Sequence, residues 1–417
     1  MIPVDIVCFA NFLLLAVFCM CYSYQLIYLA VPFFKKIRPH GEAVLHNYAI
    51  LISARNEERV IAHLLESIRA QDYPAHLVTT FVVADNCTDD TAAVAREHGA
   101  VVYERRDCGR TGKGYALNYL LGCIRARYGE DRFDGFFVFD ADNLLSTDFI
   151  SQMNRTFSDG YKIITSYRNS KNYGANWISA GYAHWFLREA KYLNHPRMAL
   201  GTSCAVSGTG FVFSADILKK CGGWNFFLLT EDIEFTVHSI VCGEVIGYCP
   251  DAVLYDEQPT RFAQSWRQRK RWARGYLQVY GKYSRKLLCG IFRGSYSCFD
   301  ALMSIMPALL LSVFGLSFNL AMGVLGLITN QDVMPAVISS LKSFGSSYLL
   351  MFGIGILTTV TEWKQIHTTT PKKLFYTLTF PVFMFTYIPI ALSALFGKVE
   401  WKPIEHRVSV SLEELLR

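Results

Sequence analysis

Residues 135–142 read GFFVFDAD, an apolar run that ends on two aspartates separated by one residue. Four consecutive apolar side chains after a glycine are typical of a strand buried on both faces of a parallel sheet. Asp140 and Asp142 would then stand at the carboxyl end of that strand, where open α/β sheets bind their ligands. The stretch therefore predicts a buried strand with functional residues at its carboxyl end.

The same order of apolar run, polar loop and helical pattern occurs upstream of this stretch. Short apolar or β-rich runs lie at 48–52, 79–84 and 101–104, and a helical pattern of apolar residues follows each of them. Strands that alternate with helices predict an α/β fold with a mostly parallel sheet and helices on both faces. Because parallel strands end at one edge of such a sheet, Asp85 should lie on the same rim as the two aspartates of 140–142.

The acidic residues at the strand ends allow two interpretations. Two carboxylates one residue apart suit a hard divalent cation shared with a diphosphate, because carboxylate and phosphate oxygens together complete an octahedron. A solvated turn with an aspartate cap is the alternative, and about one such pair is expected by chance in a chain of this length. Asp85 is alternatively a turn residue or a helix N-cap. Lys113, between two glycines, either meets a phosphate as a point charge or lies on the surface.

A second acidic pair, Glu231 and Asp232, follows an apolar step at 228–229. A helix that begins there with Thr230 as its N-cap would explain both acids through the helix dipole. The functional alternative is a general base: a carboxylate in a dry pocket, with a pKa raised by burial and by neighbouring acids, that takes a proton from an acceptor hydroxyl.

Apolar residues make up 52% of the 417 residues and charged residues only 18%, so a membrane is expected. Residues 6–34 carry no charged side chain, which is long enough for one crossing, and three basic residues follow within 35–38. Charges after the apolar run indicate a retained anchor rather than a cleaved signal peptide, with the next region in the cytosol. Charge-free runs at 301–331, 343–361 and 374–397 predict three more crossings.

Four crossings would leave both termini outside and residues from about 36 to 298 in the cytosol. The alternative is that Pro381 and Pro389 make the last run kinked or partly interfacial, which would place the C-terminus in the cytosol. The predicted division of the chain is an N-terminal transmembrane anchor at 1–35, a cytosolic domain at 36–260, amphipathic interfacial helices at 261–298, three transmembrane helices at 299–397 and a C-terminal tail at 398–417.

Residues 261–293 hold ten lysines and arginines and no acidic residue, with tryptophans and tyrosines between them. Nucleic acid binding is one interpretation. The stretch ends just before an apolar run, however, where a basic aromatic helix is typical of the anionic cytosolic membrane surface. Within it, Gln268, Arg271 and Trp272 combine an amide, a guanidinium and an indole that together suit a diphosphate and a sugar ring.

Four of these features occur in one order: Asp85, the Asp-x-Asp of 140–142, the Thr-Glu-Asp of 230–232 and the Gln-x-x-Arg-Trp of 268–272. In this order they resemble the motifs of the family 2 processive glycosyltransferases, such as the cellulose, hyaluronan, chitooligosaccharide and poly-N-acetylglucosamine synthases. The resemblance covers about 48–283. It implies a GT-A fold, a nucleotide-sugar donor that is usually a UDP-sugar, and an integral protein of the plasma (inner) membrane with its catalytic domain in the cytosol.

The resemblance also implies a donor site. Asp140 and Asp142 would hold Mg²⁺ or Mn²⁺ on the diphosphate, which lowers the cost of the charge that develops on the leaving UDP. The other implied donor-binding residues are Ala54, Arg55 and Glu57 near the base, Asp85 at the uridine and Lys113 at the diphosphate.

On the acceptor side, the resemblance implies that Asp232 is the base that activates an acceptor hydroxyl for in-line attack at the anomeric carbon, with inversion to a β linkage. Glu231 would shape that site. The implied acceptor and pyrophosphate residues are Ser207, Gly208, Thr209 and Gly210, in a loop that holds the acceptor end, with Gln268, Arg271 and Trp272, whose indole would stack on the terminal sugar.

The resulting prediction is an inverting, metal-dependent membrane glycosyltransferase that extends a β-linked polysaccharide or oligosaccharide from a UDP-sugar. The alternative is a single addition to a membrane lipid, since ceramide glucosyltransferases carry a related set of motifs. A non-enzymatic membrane protein is a third class. The expected partners are the UDP-sugar, a growing glycan or lipid acceptor and membrane lipids, and not nucleic acid. Four crossings leave little room for a polymer channel, so a long product would require a homo-oligomer or a separate exporter.

Overall fold

A computed structural model describes residues 4–329, 334–397, 399, 406 and 408–416 of the chain. Its strands are β1 (Tyr48–Ala54), β2 (Val78–Asp85), β3 (Val101–Arg105), β4 (Gly135–Asp140), β5 (Leu144–Leu145), β6 (Ile163–Ser170), β7 (Phe211–Ser214) and β8 (Ile246–Asp256). Together with the helices between them, they form an α/β domain at residues 48–256.

The helices are α1 (Val4–Tyr22), α2 (Tyr24–Phe34), α3 (Ile61–Arg69), α4 (Thr91–Glu97), α5 (Lys113–Tyr128), α6 (Phe149–Ser158), α7 (Trp177–Glu189), α8 (His195–Leu200), α9 (Ala215–Lys220), α10 (Glu231–Val241), α11 (Phe262–Phe292), α12 (Tyr296–Ile305), α13 (Pro307–Ile328), α14 (Met334–Thr361), α15 (Thr370–Phe385), α16 (Tyr387–Leu395) and α17 (Leu412–Leu416).

The eight strands form one sheet in the order β3-β2-β1-β4-β7-β6-β8-β5. β1 pairs in parallel with β2 and β4, β2 pairs in parallel with β3, and β6 pairs in parallel with β8. β7 runs antiparallel between β4 and β6, and β5 runs antiparallel beside β8. The predicted mostly parallel α/β sheet is therefore confirmed.

Strand β4 is buried on both of its faces, as its continuous apolar sequence predicts. Val138 packs in one hydrophobic core with Leu117 of α5, and Phe139 packs in the other core with Leu64 of α3 and Phe149 of α6. The sheet thus separates two cores, and helices cover both faces.

The strand register brings polar residues to one edge of the sheet. Ser53 of β1 lies opposite Asp140 of β4, and Asp85 of β2 lies opposite Arg105 of β3. Because β1, β2, β3 and β4 run in the same direction, their carboxyl ends form one continuous rim. Asp85 and Asp140 both lie on this rim.

Three helices of the described chain are long and apolar enough to cross a membrane: Ile6–Phe34, Val337–Thr361 and Thr370–Leu395. The apolar helix Val313–Ile328 is shorter. The first of the three consists of α1 and α2, which meet at Ser23. The predicted run at 301–331 is divided between α12 and α13, because a new helix begins at Pro307, whose ring nitrogen has no hydrogen to donate.

The last apolar run is one of the three candidate spans, and it has hydrogen bonds to other parts of the protein near both of its ends. The four-crossing arrangement stays a prediction. Where α15 begins, Lys372 donates a hydrogen bond to the carbonyl of Gly174 at 2.8 Å. Where α16 ends, Arg274 of α11 donates to the carbonyl of Ala394 at 3.5 Å. The tail beyond it also contacts the α/β domain, through His406, Val408 and Ser409.

The run bends at Thr386, between α15 and α16. The hydroxyl of Thr386 accepts a hydrogen bond of 2.6 Å from Arg269 of α11, whose side chain is fully buried, and Pro381 and Pro389 remove two backbone donors around the bend. The prediction of three crossings at 299–397 stays a prediction: two of the candidate spans and the shorter apolar helix lie in this segment. The last part of this segment is bent between α15 and α16, as the kinked alternative expects, and the side of the membrane on which the C-terminus lies stays a prediction.

The basic stretch forms one long amphipathic helix, α11, of 31 residues. Its buried face includes Ser265, Arg269 and Ala273 in its first half and Val279, Tyr283 and Leu287 in its second half, at the four-residue spacing of one helical stripe. α12 follows as a second helix after a short turn. α11 lies within the predicted interfacial segment at 261–298, whereas α12 continues beyond its predicted end to Ile305.

A buried ion pair ties the N-terminal helices to the α/β domain. Nε and Nη2 of Arg197, on α8, donate to the carboxylate of Asp300, on α12, at 2.7 and 3.0 Å. The hydroxyls of Tyr24 and Tyr28, on α2, donate to the same carboxylate at 2.8 and 2.9 Å. One carboxylate thus joins three separate elements.

We predict that Asp300→Asn destabilises the fold by about 3–5 kcal/mol, because it leaves the buried guanidinium of Arg197 without a counter-charge. Thermal unfolding in detergent measures the effect. The matched control is Lys219→Met, which removes an exposed ion pair with Asp131 and should change stability by less than about 1 kcal/mol. Equal melting temperatures for the two variants would contradict this account of how the elements are held.

Candidate active site

The rim begins with the residues at the ends of β1 and β2. Ala54 is buried at the end of β1, and Arg55 and Glu57 follow it in the loop before α3. Asp85 is 3% exposed, and its carboxylate accepts a hydrogen bond of 2.6 Å from Arg105. The N-cap alternative for Asp85 is therefore wrong, because its carboxylate is paired with an arginine of β3.

The two aspartates after β4 have different surroundings. The carboxylate of Asp140 accepts a hydrogen bond from the ammonium group of Lys113. Asp142 is 4% exposed, and its Oδ2 accepts from the backbone N–H of Glu257 at 2.8 Å. The alternative of a solvated turn is therefore wrong for Asp142, and the structure places both carboxylates at the end of β4.

Lys113 is not a surface lysine. Its ammonium group also donates to the carbonyl of Gly208 at 2.7 Å, so it lies between the rim and the loop at 207–210. The position of Lys113 depends on the next residue, Gly114, where a Cβ atom would lie 2.1 Å from the carbonyl oxygen of Phe226. Only glycine allows the start of α5 to approach that backbone so closely.

The loop at 207–210 lies against both the rim and the second acidic pair. Thr209 accepts a hydrogen bond from the backbone N–H of Asp140 at 3.0 Å, and the N–H of Gly210 donates to the carbonyl of Val138 at 2.9 Å. Gly208 has a positive φ of 80°, and a Cβ atom there would lie 3.7 Å from Oδ2 of Asp232. The loop thus brings Asp232 next to the end of β4.

Glu231 and Asp232 begin α10, as the helical alternative predicts, but Thr230 does not cap that helix with its side chain. The hydroxyl oxygen of Thr230 is buried and has no hydrogen-bond partner in the described chain. Burial raises the pKa of Asp232, while the charges of Arg271 and Lys113 oppose the shift. Burial and the adjacent Asp232 raise the pKa of Glu231 to about 7. A carboxylate pair that releases its last proton near neutral pH suits a general base.

The structure brings Arg271 to this pair, whereas Trp272 packs against another helix and no described hydrogen bond joins Gln268 to the pair. Nη1 of Arg271 donates to the carbonyl of Leu229 at 2.9 Å, just before the acidic pair. Trp272 packs edge-to-face on Tyr182 with ring centroids 5.7 Å apart. The side-chain oxygen of Gln268 is buried and has no partner within the residues that the structure describes.

Sequence reasoning missed an ion pair beside this site, between Arg168 and Asp256. Nε of Arg168, at the end of β6, donates to the carboxylate of Asp256, at the end of β8, at 2.7 Å. Nη1 of Arg168 donates to the carbonyl of Ser207 at 2.8 Å, which holds the loop in place. An aspartate directly after an apolar run is the signal that marks Asp140, and the same signal at 246–256 could have identified Asp256.

Two cations that no motif predicts face Asp142. Burial alone would lower the pKa of His406, but the carboxylates of Asp142 and Glu57 raise it to about 10, so the imidazole is cationic. Burial lowers the pKa of Lys171, and Asp142 and Glu257 oppose that shift. Although burial alone would raise the pKa of Asp142, the charges of His406 and Lys171 bring it below its ordinary value.

The donor set at the rim fits a divalent cation that arrives with a diphosphate. Within the described chain, no group of three or more His, Cys, Asp and Glu side chains could hold a metal ion. Asp140 and Asp142 supply two carboxylates. Mg²⁺ characteristically binds through one or two carboxylates and completes its shell with water and phosphate oxygens. The residues present therefore fit Mg²⁺ or Mn²⁺ in company with a nucleotide.

The sequence profile described as Glycosyltransferase like family 2 matches residues 46–275, more than half of the chain. Across 92% of this chain and 98% of the other, the structure also matches a mannosyltransferase from Pyrobaculum calidifontis in complex with GDP-Man and Mn²⁺, with a TM-score of 0.59 and 17% identity. This likeness concerns the fold alone, and it confirms the GT-A type of α/β domain.

The curated relatives include a synthase named for a lipid product and a synthase named for a polymer. The chain is 27% identical over 242 residues to a beta-monoglucosyldiacylglycerol synthase of Synechocystis, covering 57% of this chain and 49% of that one. It is 27% identical over 263 residues to a probable glycosyltransferase, YdaM, of Bacillus subtilis, covering 57% of each. A poly-beta-1,6-N-acetyl-D-glucosamine synthase of Staphylococcus epidermidis is 24% identical over 263 residues, covering 59% of this chain and 60% of that one. The chain thus spans about half the length of the curated relatives that it matches.

We predict that Thr209→Val destabilises the protein by about 1–3 kcal/mol, because the hydroxyl accepts from the backbone of Asp140 and also donates to the side chain of Asn143. Thr209→Ser keeps the hydroxyl and should lie near the wild type. Thermal unfolding of the two variants makes the comparison. Equal stability of the valine and serine variants would show that this hydroxyl does not hold the loop against the rim.

Proposed function

Because the chain belongs to the family Glycosyltransferase like family 2, we propose that this nucleotide-sugar glycosyltransferase moves a single hexose from a UDP-sugar to a hydroxyl group of a membrane lipid. The relatives support this alternative better than the polymer that the motif series predicts, because the glucosyldiacylglycerol synthases are named for a lipid product. The donor is proposed to bind at the rim, and the acceptor hydroxyl at Asp232.

The observation that carries the lipid proposal is the short connection between the acceptor loop and a membrane helix. The hydroxyl of Ser207 donates to the carboxylate of Glu189, the last residue of α7. The preceding residue, Arg188, donates to the side-chain oxygen of Gln25 at 3.0 Å. Gln25 lies in the apolar segment Ile6–Phe34. The hydroxyl group of an acceptor anchored in the bilayer would therefore lie at the same depth as the loop at 207–210.

In the proposed mechanism, Asp232 accepts the proton of the acceptor hydroxyl as its oxygen attacks the anomeric carbon of the sugar. The bond from that carbon to the phosphate oxygen breaks, the bonding electrons leave with UDP, and the configuration inverts. Glu231 keeps the proton affinity of the pair high, and Arg271 screens its charge. A Mg²⁺ or Mn²⁺ ion held by Asp140 and Asp142 would neutralise charge on the departing diphosphate.

The rest of the site positions the reactants. Lys113 and Arg168 hold the loop through the carbonyls of Gly208 and Ser207, so the acceptor hydroxyl is presented beside Asp232. On this proposal the chain works in the membrane, with the rim on the cytosolic side.

Product analysis tests the acceptor. The purified protein is incubated in lipid vesicles with labelled UDP-sugars, and the products are extracted and sized. The proposal requires one lipid-soluble product with one added sugar, and its loss in Asp232→Asn. A ladder or a high polymer would instead support the second candidate, a polymerising enzyme, which the poly-N-acetylglucosamine synthase relative favours.

We predict that kcat falls as pH decreases through a pKa above the ordinary aspartate value of 3.8, because Asp232 must be ionised to accept a proton and burial raises its pKa. This fall in kcat at low pH should persist in Glu231→Gln, which removes the carboxyl group with a pKa of about 7. Asp232→Asn should lower kcat by roughly 10²–10⁴-fold. The pH profile of kcat under saturating donor is the measurement.

The opposite pattern would exchange the roles of the two acids. If Glu231→Gln removes activity while Asp232→Asn keeps it, Glu231 is the base. Asp216→Asn is the control, because Asp216 is an exposed carboxylate on α9 paired with Lys162 and should leave the profile unchanged.

A further inference from the structure

Two basic side chains at the rim of the sheet keep N–H groups that make no hydrogen bond to any residue that the structure describes. Lys171 follows β6 and is 8% exposed, yet its ammonium group makes no hydrogen bond to any described residue. The charges that act on it are the carboxylates of Asp142, Glu257, Asp256 and Glu57. A buried ammonium without hydrogen-bond partners is costly unless a ligand supplies them.

The second side chain, His406, comes from the C-terminal tail. Nδ1 of His406 lies 3.0 Å from both carboxylate oxygens of Glu57, so this nitrogen is committed to an ion pair. Nε2 of the ring has no partner in the part of the chain that the structure describes. His406 thus keeps one N–H available at the rim while the other holds it in place.

The residues that follow His406 are held by hydrogen bonds to the α/β domain and to the segment after β8. The backbone N–H of Val408 donates to the carboxylate of Glu257 at 2.8 Å. The hydroxyl of Ser409 lies 2.8 Å from Nε2 of His63, on α3. The N–H of Glu257 in turn holds Asp142, so the tail is joined directly to the segment that positions this aspartate.

The other cations of the rim are already used by the protein. Lys113 is shared by Asp140 and the carbonyl of Gly208. Arg168 is paired with Asp256, and Arg105 is paired with Asp85. A nucleoside diphosphate adds several anionic oxygens to this edge. Each would gain most from a cation whose donors are free, because charge-assisted hydrogen bonds are the strong ones.

We propose that Lys171 and His406 form a two-cation clamp on the diphosphate of the nucleotide-sugar. This inference rests on the proposed nucleotide-sugar donor but not on the nature of the acceptor. The clamp joins β6, in the half of the sheet outside the motif series, to a tail that lies beyond the membrane helices.

Nucleotide binding without an acceptor tests the clamp. Titration calorimetry of the full chain in detergent with Mn²⁺ first identifies which of UDP, GDP, ADP and CDP binds most tightly. The same titration is then repeated with the matching monophosphate. Lys171→Met and His406→Gln should each weaken diphosphate binding by roughly 10- to 100-fold, the range for a lost charged hydrogen bond. Monophosphate binding should change much less, and Lys171→Arg should restore part of the loss.

Lys162→Met is the matched control, since Lys162 lies at the opposite end of β6 in an exposed ion pair and should leave both affinities unchanged. Equal loss for diphosphate and monophosphate would overturn the clamp, because it indicates a scaffold role. Unchanged affinity in both variants would also overturn it. Tighter binding in His406→Gln would overturn it by showing that the tail competes with the ligand.

The outcomes distinguish a failure of the clamp proposal from a failure of the lipid-acceptor proposal. A clamp that passes this test in a protein whose product is a polymer leaves the clamp standing and refutes only the lipid proposal. Failure of every nucleoside diphosphate to bind the wild type with Mn²⁺ would refute the clamp and the donor proposal together.

Discussion

The site depends on the ammonium group of Lys113, which lies between the carboxylate of Asp140 and the carbonyl of Gly208. This contact joins the end of a parallel strand to a loop more than sixty residues further along the chain, and Gly208 is next to Asp232. Without it, the rim and the acidic pair would be two separate sets of carboxylates that repel each other. The lysine and the close approach at Gly114 make them one site.

The balance between burial and nearby cations gives the carboxylates different pKa values. Asp142 lies among cations, which lower its pKa and keep it ionised. Glu231 and Asp232 lie where burial outweighs the nearby cations, so their pKa values rise and the pair can take up a proton. Environments that push carboxylates apart in this way are a recurring feature of acid–base sites. The connection from Glu189 through Arg188 to Gln25 links the loop at 207–210 to the candidate membrane span Ile6–Phe34.

The first half of the sheet could be predicted because its strands are short apolar runs with local helices between them, and their carboxyl ends must share an edge. The second half could not. β7 is antiparallel, and β6 pairs with β8 across a long stretch of sequence, so Asp256 and Lys171 had no local signal that linked them to Asp142. The bend at Thr386 depends on Arg269 of another helix, and His406 lies 349 residues from Glu57. Contacts of this kind are tertiary, and no spacing in the sequence encodes them.

The most direct test of the central claim is to locate the bound ion and nucleotide in the protein itself. Anomalous diffraction, or cryo-electron microscopy in lipid nanodiscs, with Mn²⁺ and a nucleoside diphosphate would provide their positions. The account predicts the ion at Asp140 and Asp142 and the diphosphate on the same edge of the sheet, facing the loop that carries Gly208. An ion or nucleotide found away from the end of β4, with Asp232 facing an unrelated surface, would contradict it.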